Sequence, residues 1–259
     1  VIHSKTADLF ENLEKLIEKS RLSPFGSVAE RFITILSVSF AAFYSAIRPV
    51  KFISDVSPAD LDLQYEQVTL VTKDGVELDA WFIPAENKTN KSVIVMHGYP
   101  FDKGNVLPAA VFLHNNYNLL LFDFRYLGRS QGSYSSVGFH EQKDLAAAVA
   151  YLRSRNQTKI GAWGFSLGGA VAVMGAKQNS LDAVVVESTY ASLENMLRET
   201  YRIFWIFKLP FIIAAKLLAQ IVLRIDVAEV SPERSITEAD APILIILGSA
   251  DEEISVYNA

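Results

Sequence analysis

The polar and apolar positions divide the chain into two regimes. From Ala7 to Ser20, Leu9, Phe10, Leu13, Leu16 and Ile17 recur at helical spacing with Glu and Lys between them, which predicts an amphipathic helix. Residues 32–47 (FITILSVSFAAFYSAI) carry no charge and are bounded by Arg31 and Arg48. At 1.5 Å per residue they cover about 24 Å, short of the roughly 30 Å of a hydrocarbon core unless Val28 and Ala29 or snorkelling arginines extend the run; a single N-terminal membrane anchor is expected, with a buried or interfacial helix as the alternative. Beyond Pro58 the pattern shortens to alternation. Residues Tyr65–Thr72, the dipeptide Asp74-Gly75 and residues Val76–Ile83 predict a β-hairpin closed by Pro84. Strands and helices then alternate: strand 92–96, helix 105–114, strand 118–124, helix 139–155, strand 159–164, helix 167–178, strand 183–187 and a last strand 243–247.

Near-continuous apolar strands between helices require cover on both faces of a sheet. The expected class is therefore α/β, a mostly parallel, doubly wound sheet with an N-terminal antiparallel hairpin. Residues 1–57 form an N-terminal helical segment and residues 58–259 the α/β domain. An insertion at about 190–240 interrupts the alternation. Its middle, 203–225, is strongly apolar and broken by Lys208, Pro210, Lys216 and Arg224. It predicts one or two helices kinked or divided at Pro210, forming a cap over a site with an outer face greasy enough for a lipid interface or an acyl chain.

Composition trims the function classes. Half of the 259 residues are hydrophobic, which excludes a disordered chain, and 24 Lys plus Arg against 29 Asp plus Glu leave a net charge of −5, which argues against nucleic acid as a partner. With no cysteine there is no disulfide, no thiolate metal site and no Cys nucleophile. His3, His114 and His140 have no ligand spacing, so no metal and no cofactor are called for.

The chemistry concentrates at Gly164-Phe165-Ser166-Leu167-Gly168, a G-x-S-x-G match between an apolar strand and a helix rich in Gly and Ala. A sharp strand-to-helix turn holds a serine nucleophile in a strained conformation, and small residues at Gly164 and Gly168 let strand and helix approach. Ser166 then meets the helix N-terminus, where free N–H groups favour a developing oxyanion. His97-Gly98-Tyr99 follows the strand 92–96, the position for the second donor, so the N–H groups of Tyr99 and Leu167 are assigned to the oxyanion hole. His97 and Gly98 support that loop. Asp251 follows the last strand, placed to orient an imidazole, with Glu187 as runner-up.

With these landmarks on the page, HGY at 97–99, DFRYLGRSQG at 123–132, GFSLGG at 164–169 and LGSADEEI at 247–254, the chain resembles the α/β-hydrolase superfamily over residues 65–259. It is similar to the serine hydrolases with the fold of serine aminopeptidases and to membrane-anchored members. The resemblance implies the order Ser, Asp, His, a cap inserted before the last two strands, and the 123–132 loop as the floor of the pocket. The apolar cap points to a hydrophobic small-molecule acyl substrate, and membrane association is expected through 32–47 and the cap.

One departure matters. No histidine follows His140, and a serine without its base is a poor nucleophile. Together with a sheet that lacks its last strand and helix, this leads us to expect a truncated chain. The expected activity is hydrolysis of a carboxylic ester, thioester or amide through an acyl-enzyme on Ser166. The rivals are a non-catalytic, membrane-tethered binding protein and a cofactor-independent haloperoxidase or acyltransferase.

Overall fold

The computed structural model describes residue 15, residues 28–201 and residues 208–248. The amphipathic helix expected over 7–20 and the loop bearing Asp251 lie outside the described residues.

A hairpin opens the sheet. β1 (Glu66–Val71) and β2 (Glu77–Ile83) pair antiparallel, Val71 opposite Glu77. The turn closes because Gly75 adopts φ 82° and the Thr72 hydroxyl accepts the Val76 N–H at 2.9 Å while donating to Asp74 at 2.7 Å. Then follow β3 (Lys91–Met96), β4 (Asn118–Phe122), β5 (Lys159–Phe165), β6 (Ala183–Glu187) and β7 (Ile243–Ile246). The seven strands run in the order β1-β2-β4-β3-β5-β6-β7. β2 is antiparallel to β4, and the pairs from β4 through β3, β5 and β6 to β7 are parallel. This is the mostly parallel, doubly wound α/β sheet with an antiparallel N-terminal hairpin that the alternation predicts. Leu119, Leu120, Leu121 and Phe122 are fully buried, as a strand covered on both faces requires.

Helices supply that cover. α1 (Val28–Ile47) precedes the hairpin, α2 (Lys103–Ala110) follows β3 and α3 (Gln142–Ser154) follows β4. α3 buries Leu145, Ala148, Val149 and Leu152, the spacing of one helical face. α4 (Leu167–Gly175) leaves β5 so small-sided that it is buried almost throughout. The insertion holds α5 (Leu193–Thr200), α6 (Lys208–Leu218), a wider helical turn at 219–223 and the four-residue α7 (Pro232–Ser235).

Two boundaries differ from the sequence pattern. The helix expected over 105–114 starts at Lys103, because the Asp102 carboxylate caps the Asn105 N–H at 3.1 Å, and it tightens into a 3-10 turn at 111–115. The strand expected to reach residue 124 stops at Phe122, where Asp123 turns into a polar cluster. Pro210 lies within α6; residues 202–207, which bear on the kink or division expected there, lie outside the described residues.

Among the described residues no helix is long and apolar enough to cross a membrane. The uncharged run inside α1 is short of a hydrocarbon core, and part of its apolar face is committed to the protein. Val38 packs with Tyr201, Phe211, Ile212 and Ala215. Phe43 and Ile47 join Ala170, Tyr190 and Leu223 in a second cluster that links α1, α4 and the insertion.

Candidate active site

β5 runs straight into α4 with no loop, and Ser166 is the single residue that makes the corner. Its backbone takes φ 51° and ψ −110°, a combination open to glycine and costly for any residue with a Cβ. The corner is held from three sides. The Ser166 N–H donates to the Glu187 carbonyl at 2.8 Å, extending the β5–β6 ladder by one rung. The Ser166 carbonyl accepts the Ala170 N–H at 3.1 Å and the Thr189 hydroxyl at 2.8 Å.

Glycines make the approach of strand and helix feasible. A Cβ on Gly164 would overlap the backbone of Gly168, and a Cβ on Gly168 would overlap the Met96 carbonyl. The loop after β3 closes over the same corner: a Cβ at Gly98 would lie 2.9 Å from the Phe165 ring and 3.3 Å from the Ser166 Cβ. Gly98 and the adjoining Tyr99 are thus brought beside Ser166, and Leu167 opens α4, so the two segments assigned to the oxyanion hole flank the serine.

His97 is fully buried, and its ring is committed on both sides. Nδ1 lies 2.8 Å from the Gly98 carbonyl, which can only accept, and Nε2 lies 3.0 Å from the Phe124 N–H, which can only donate. The geometry fixes a neutral ring protonated at Nδ1. Burial lowers its pKa from the ordinary value, outweighing the opposing influence of the Asp123 charge. His97 therefore positions the Gly98-Tyr99 loop and has no free nitrogen for Ser166. Tyr99 extends the connection outward: its hydroxyl donates to the Ala46 carbonyl of α1 at 2.6 Å, and burial pushes that phenol well above its usual range.

The 123–132 loop is braced by contacts that the sequence pattern did not reveal. Asp123 accepts the Lys103 N–H at 2.8 Å, the Lys103 ammonium at 2.9 Å and the Arg129 N–H at 2.8 Å. The buried Lys103 ammonium also meets Asp79 and lies 4.5 Å from the centre of the Trp81 ring. Arg125 bridges Asp144 of α3 at 2.7 Å and Asp74 of the hairpin turn at 3.0 Å. The guanidinium holds the Asp74 carboxyl far below the usual carboxylate range, against a smaller opposing effect of burial. Glu141, also buried, accepts from the Ser135 hydroxyl, from both the N–H and hydroxyl of Ser136, and from the Gly138 N–H. Only a long-range partner distinguishes these carboxylates from surface ones, and the sequence carries no signal for that.

Asp251 lies outside the described residues. Glu187 is placed beside the corner, opposite Phe165 in the ladder, and serves through its backbone carbonyl. His114 lies in the turn after α2, and His140 spans to the Leu223 carbonyl at 3.3 Å. Among the described residues no imidazole reaches the Ser166 hydroxyl.

The strand order, the strained serine corner after β5 and the loop after β3 closing over it define the α/β-hydrolase fold. The chain belongs to the family described as X-Pro dipeptidyl-peptidase (S15 family), which matches residues 63–222, within the α/β-hydrolase superfamily. Among curated relatives it is 31% identical over 150 residues to the protein bem46 of Schizosaccharomyces pombe, covering 54% of this chain and 50% of that protein. It is 30% identical over 151 residues to the α/β hydrolase domain-containing protein WAV2 of Arabidopsis thaliana, covering 54% of this chain and 48% of that one. The chain spans about half the length of these curated relatives. Among solved structures, the Pyrococcus furiosus esterase Pf2001 superposes with a TM-score of 0.66 at 29% identity, over 82% of this chain and 81% of that one.

Proposed function

We propose that the protein is a serine hydrolase of carboxylic esters or thioesters. The observation that carries this reading is the Ser166 backbone, held at φ 51° and ψ −110° with Gly98 packed against its Cβ. Such strain at a serine on a helix N-terminus, beneath a loop offering N–H groups, suits attack on an acyl carbon. In this reading the Ser166 Oγ adds to the carbonyl carbon and the tetrahedral oxyanion takes the N–H groups of Leu167 and Tyr99. The leaving group departs protonated, and water releases the acyl group from Ser166. In this reading Asp251 orients the histidine that serves as base. The esterase identity of Pf2001 supports ester cleavage, and the S15 match keeps an amide substrate in contention.

A second reading, a non-catalytic binding protein on the same pocket, is favoured by one observation: the imidazole nearest Ser166, His97, is spent on Gly98 and Phe124. Fluorophosphonate labelling of the natural protein distinguishes the two. Labelling that disappears in Ser166→Ala, with turnover of p-nitrophenyl esters, supports the hydrolase. An unlabelled Ser166 in a protein that still retains acyl ligands overturns it. Comparing an ester with the matching X-Pro anilide then decides between esterase and peptidase.

A further inference from the structure

α1 and α6 pack against each other, yet each leaves large apolar side chains in water. On α1, Ile33, Leu36 and Phe40 are exposed in one stripe, Ile33 by 60%. On α6, Leu209, Ile213 and Leu217 recur every four residues, Leu209 exposed by 60%, and Ile221 follows in the next turn at 73%. Between the stripes lies a closed seam of Val38, Phe211, Ile212 and Ala215, so the exposed residues are surplus to the packing of the pair. The stripe on α1 ends in an aromatic and cationic group: Phe40 stacks on Tyr44, and the Arg48 guanidinium donates to the Tyr44 hydroxyl at 3.0 Å.

The charges around this surface lean positive. Residues 30–55 contain Arg31, Arg48 and Lys51 against Glu30 and Asp55, and residues 199–226 contain Arg202, Lys208, Lys216 and Arg224 against Glu199 and Asp226. Yet the whole chain is net acidic, at −5. The cations are thus concentrated on the two segments that expose apolar surface, although Lys216 is shared with Glu194 of α5 at 2.6 Å.

We propose that the α1–α6 face docks in the plane of an anionic phospholipid bilayer. Its apolar side chains enter the acyl boundary, while the flanking Lys and Arg meet headgroup phosphates and the Tyr44–Arg48 pair sits at the interface. A second copy of the chain is a poorer occupant, because pairing the same face twice would bring two cationic rims together. A crossing helix is a poorer account of α1, because Val38, Phe43 and Ile47 are buried against the protein.

The test is co-sedimentation of the full chain with vesicles of phosphatidylcholine alone and with roughly 30% phosphatidylglycerol, at low salt and at about 0.5 M salt. Phe40→Ser/Leu217→Ser removes two exposed side chains and leaves the seam intact; near-ultraviolet circular dichroism confirms its fold. We expect binding that requires the anionic lipid and weakens in salt, and a partition coefficient at least about tenfold lower in the double variant. Three outcomes overturn the proposal: equal partition of the folded double variant and the parent, indifference to phosphatidylglycerol, or no vesicle binding by a parent that dimerises through this face. Because the readout is binding, a failure of the hydrolase reading at Ser166 leaves it unaffected.

Discussion

The serine corner and the α1–α6 pair are built on opposite terms. At the corner the atoms are tightly matched: the Ser166 backbone is bonded on both sides, both nitrogens of His97 are used, and even a methyl group has no room at Gly164 or Gly168. On α1, in contrast, the buried Ser39 hydroxyl has no hydrogen-bond partner, and large apolar groups face water. The difference teaches that the sheet, with α4 and the loops at its strand ends, fixes the geometry around Ser166. The α1–α6 pair retains surface that its own packing does not use.

The comparison can be broken hardest through Arg125. Arg125→Met leaves the buried Asp144 carboxyl without its guanidinium, and an expected loss of about 3–5 kcal/mol should appear in urea unfolding. Arg125→Met/Asp144→Leu should recover much of it, since an apolar pair of similar volume replaces a buried ionic one. Next comes Gly168→Ala, whose methyl must displace the Met96 carbonyl. A loss of about 1–3 kcal/mol is expected, with a fall in fluorophosphonate labelling larger than the fall in melting temperature.

Acid sharpens the comparison by separating two groups. His97 has a folded pKa below its unfolded value of about 6.5, so the native state binds fewer protons, and its contribution is present above that pH and lost as pH falls below it. Asp74 is likewise depressed, and its contribution is lost only below its unfolded pKa of about 3.9. Melting temperature against pH should show both limbs in the parent, and a smaller near-neutral limb in His97→Gln, where burial still depresses His140. Tyr99→Phe should cost about 0.5–1.5 kcal/mol by removing the bond to Ala46. At the other extreme, Phe40→Ser should change stability by no more than about 0.5 kcal/mol, because the ring is already solvated. Chemical denaturation of both variants checks this contrast.

What could be read from the sequence follows the range of the interactions concerned. The elbow was legible because its requirements are local: glycines two residues either side of Ser166, an apolar strand before it and a small-residue helix after it. The succession of strands and helices followed from alternation, while the order in which the strands pair rests on contacts between distant segments. The role of His97 was legible only as support for its loop, since its tautomer depends on the Phe124 N–H, 27 residues away. The Arg125 bridge joins a hairpin turn to α3 across 51 and 19 residues, and no short motif encodes such a meeting. The uncharged run at 32–47 was ambiguous for a related reason, because hydropathy records an apolar face without saying what it packs against.

The conformation of Ser166 has a consequence for how this position can drift. A residue with a Cβ at φ 51° and ψ −110° costs of order 1–3 kcal/mol, and glycine at the same place relieves most of that. Ser166→Gly is therefore a mutation that raises stability while removing the hydroxyl. Any lineage released from the need for a nucleophile has a thermodynamically downhill exit at this codon. Stability and chemistry select opposite residues here, and this chain holds the one that stability disfavours.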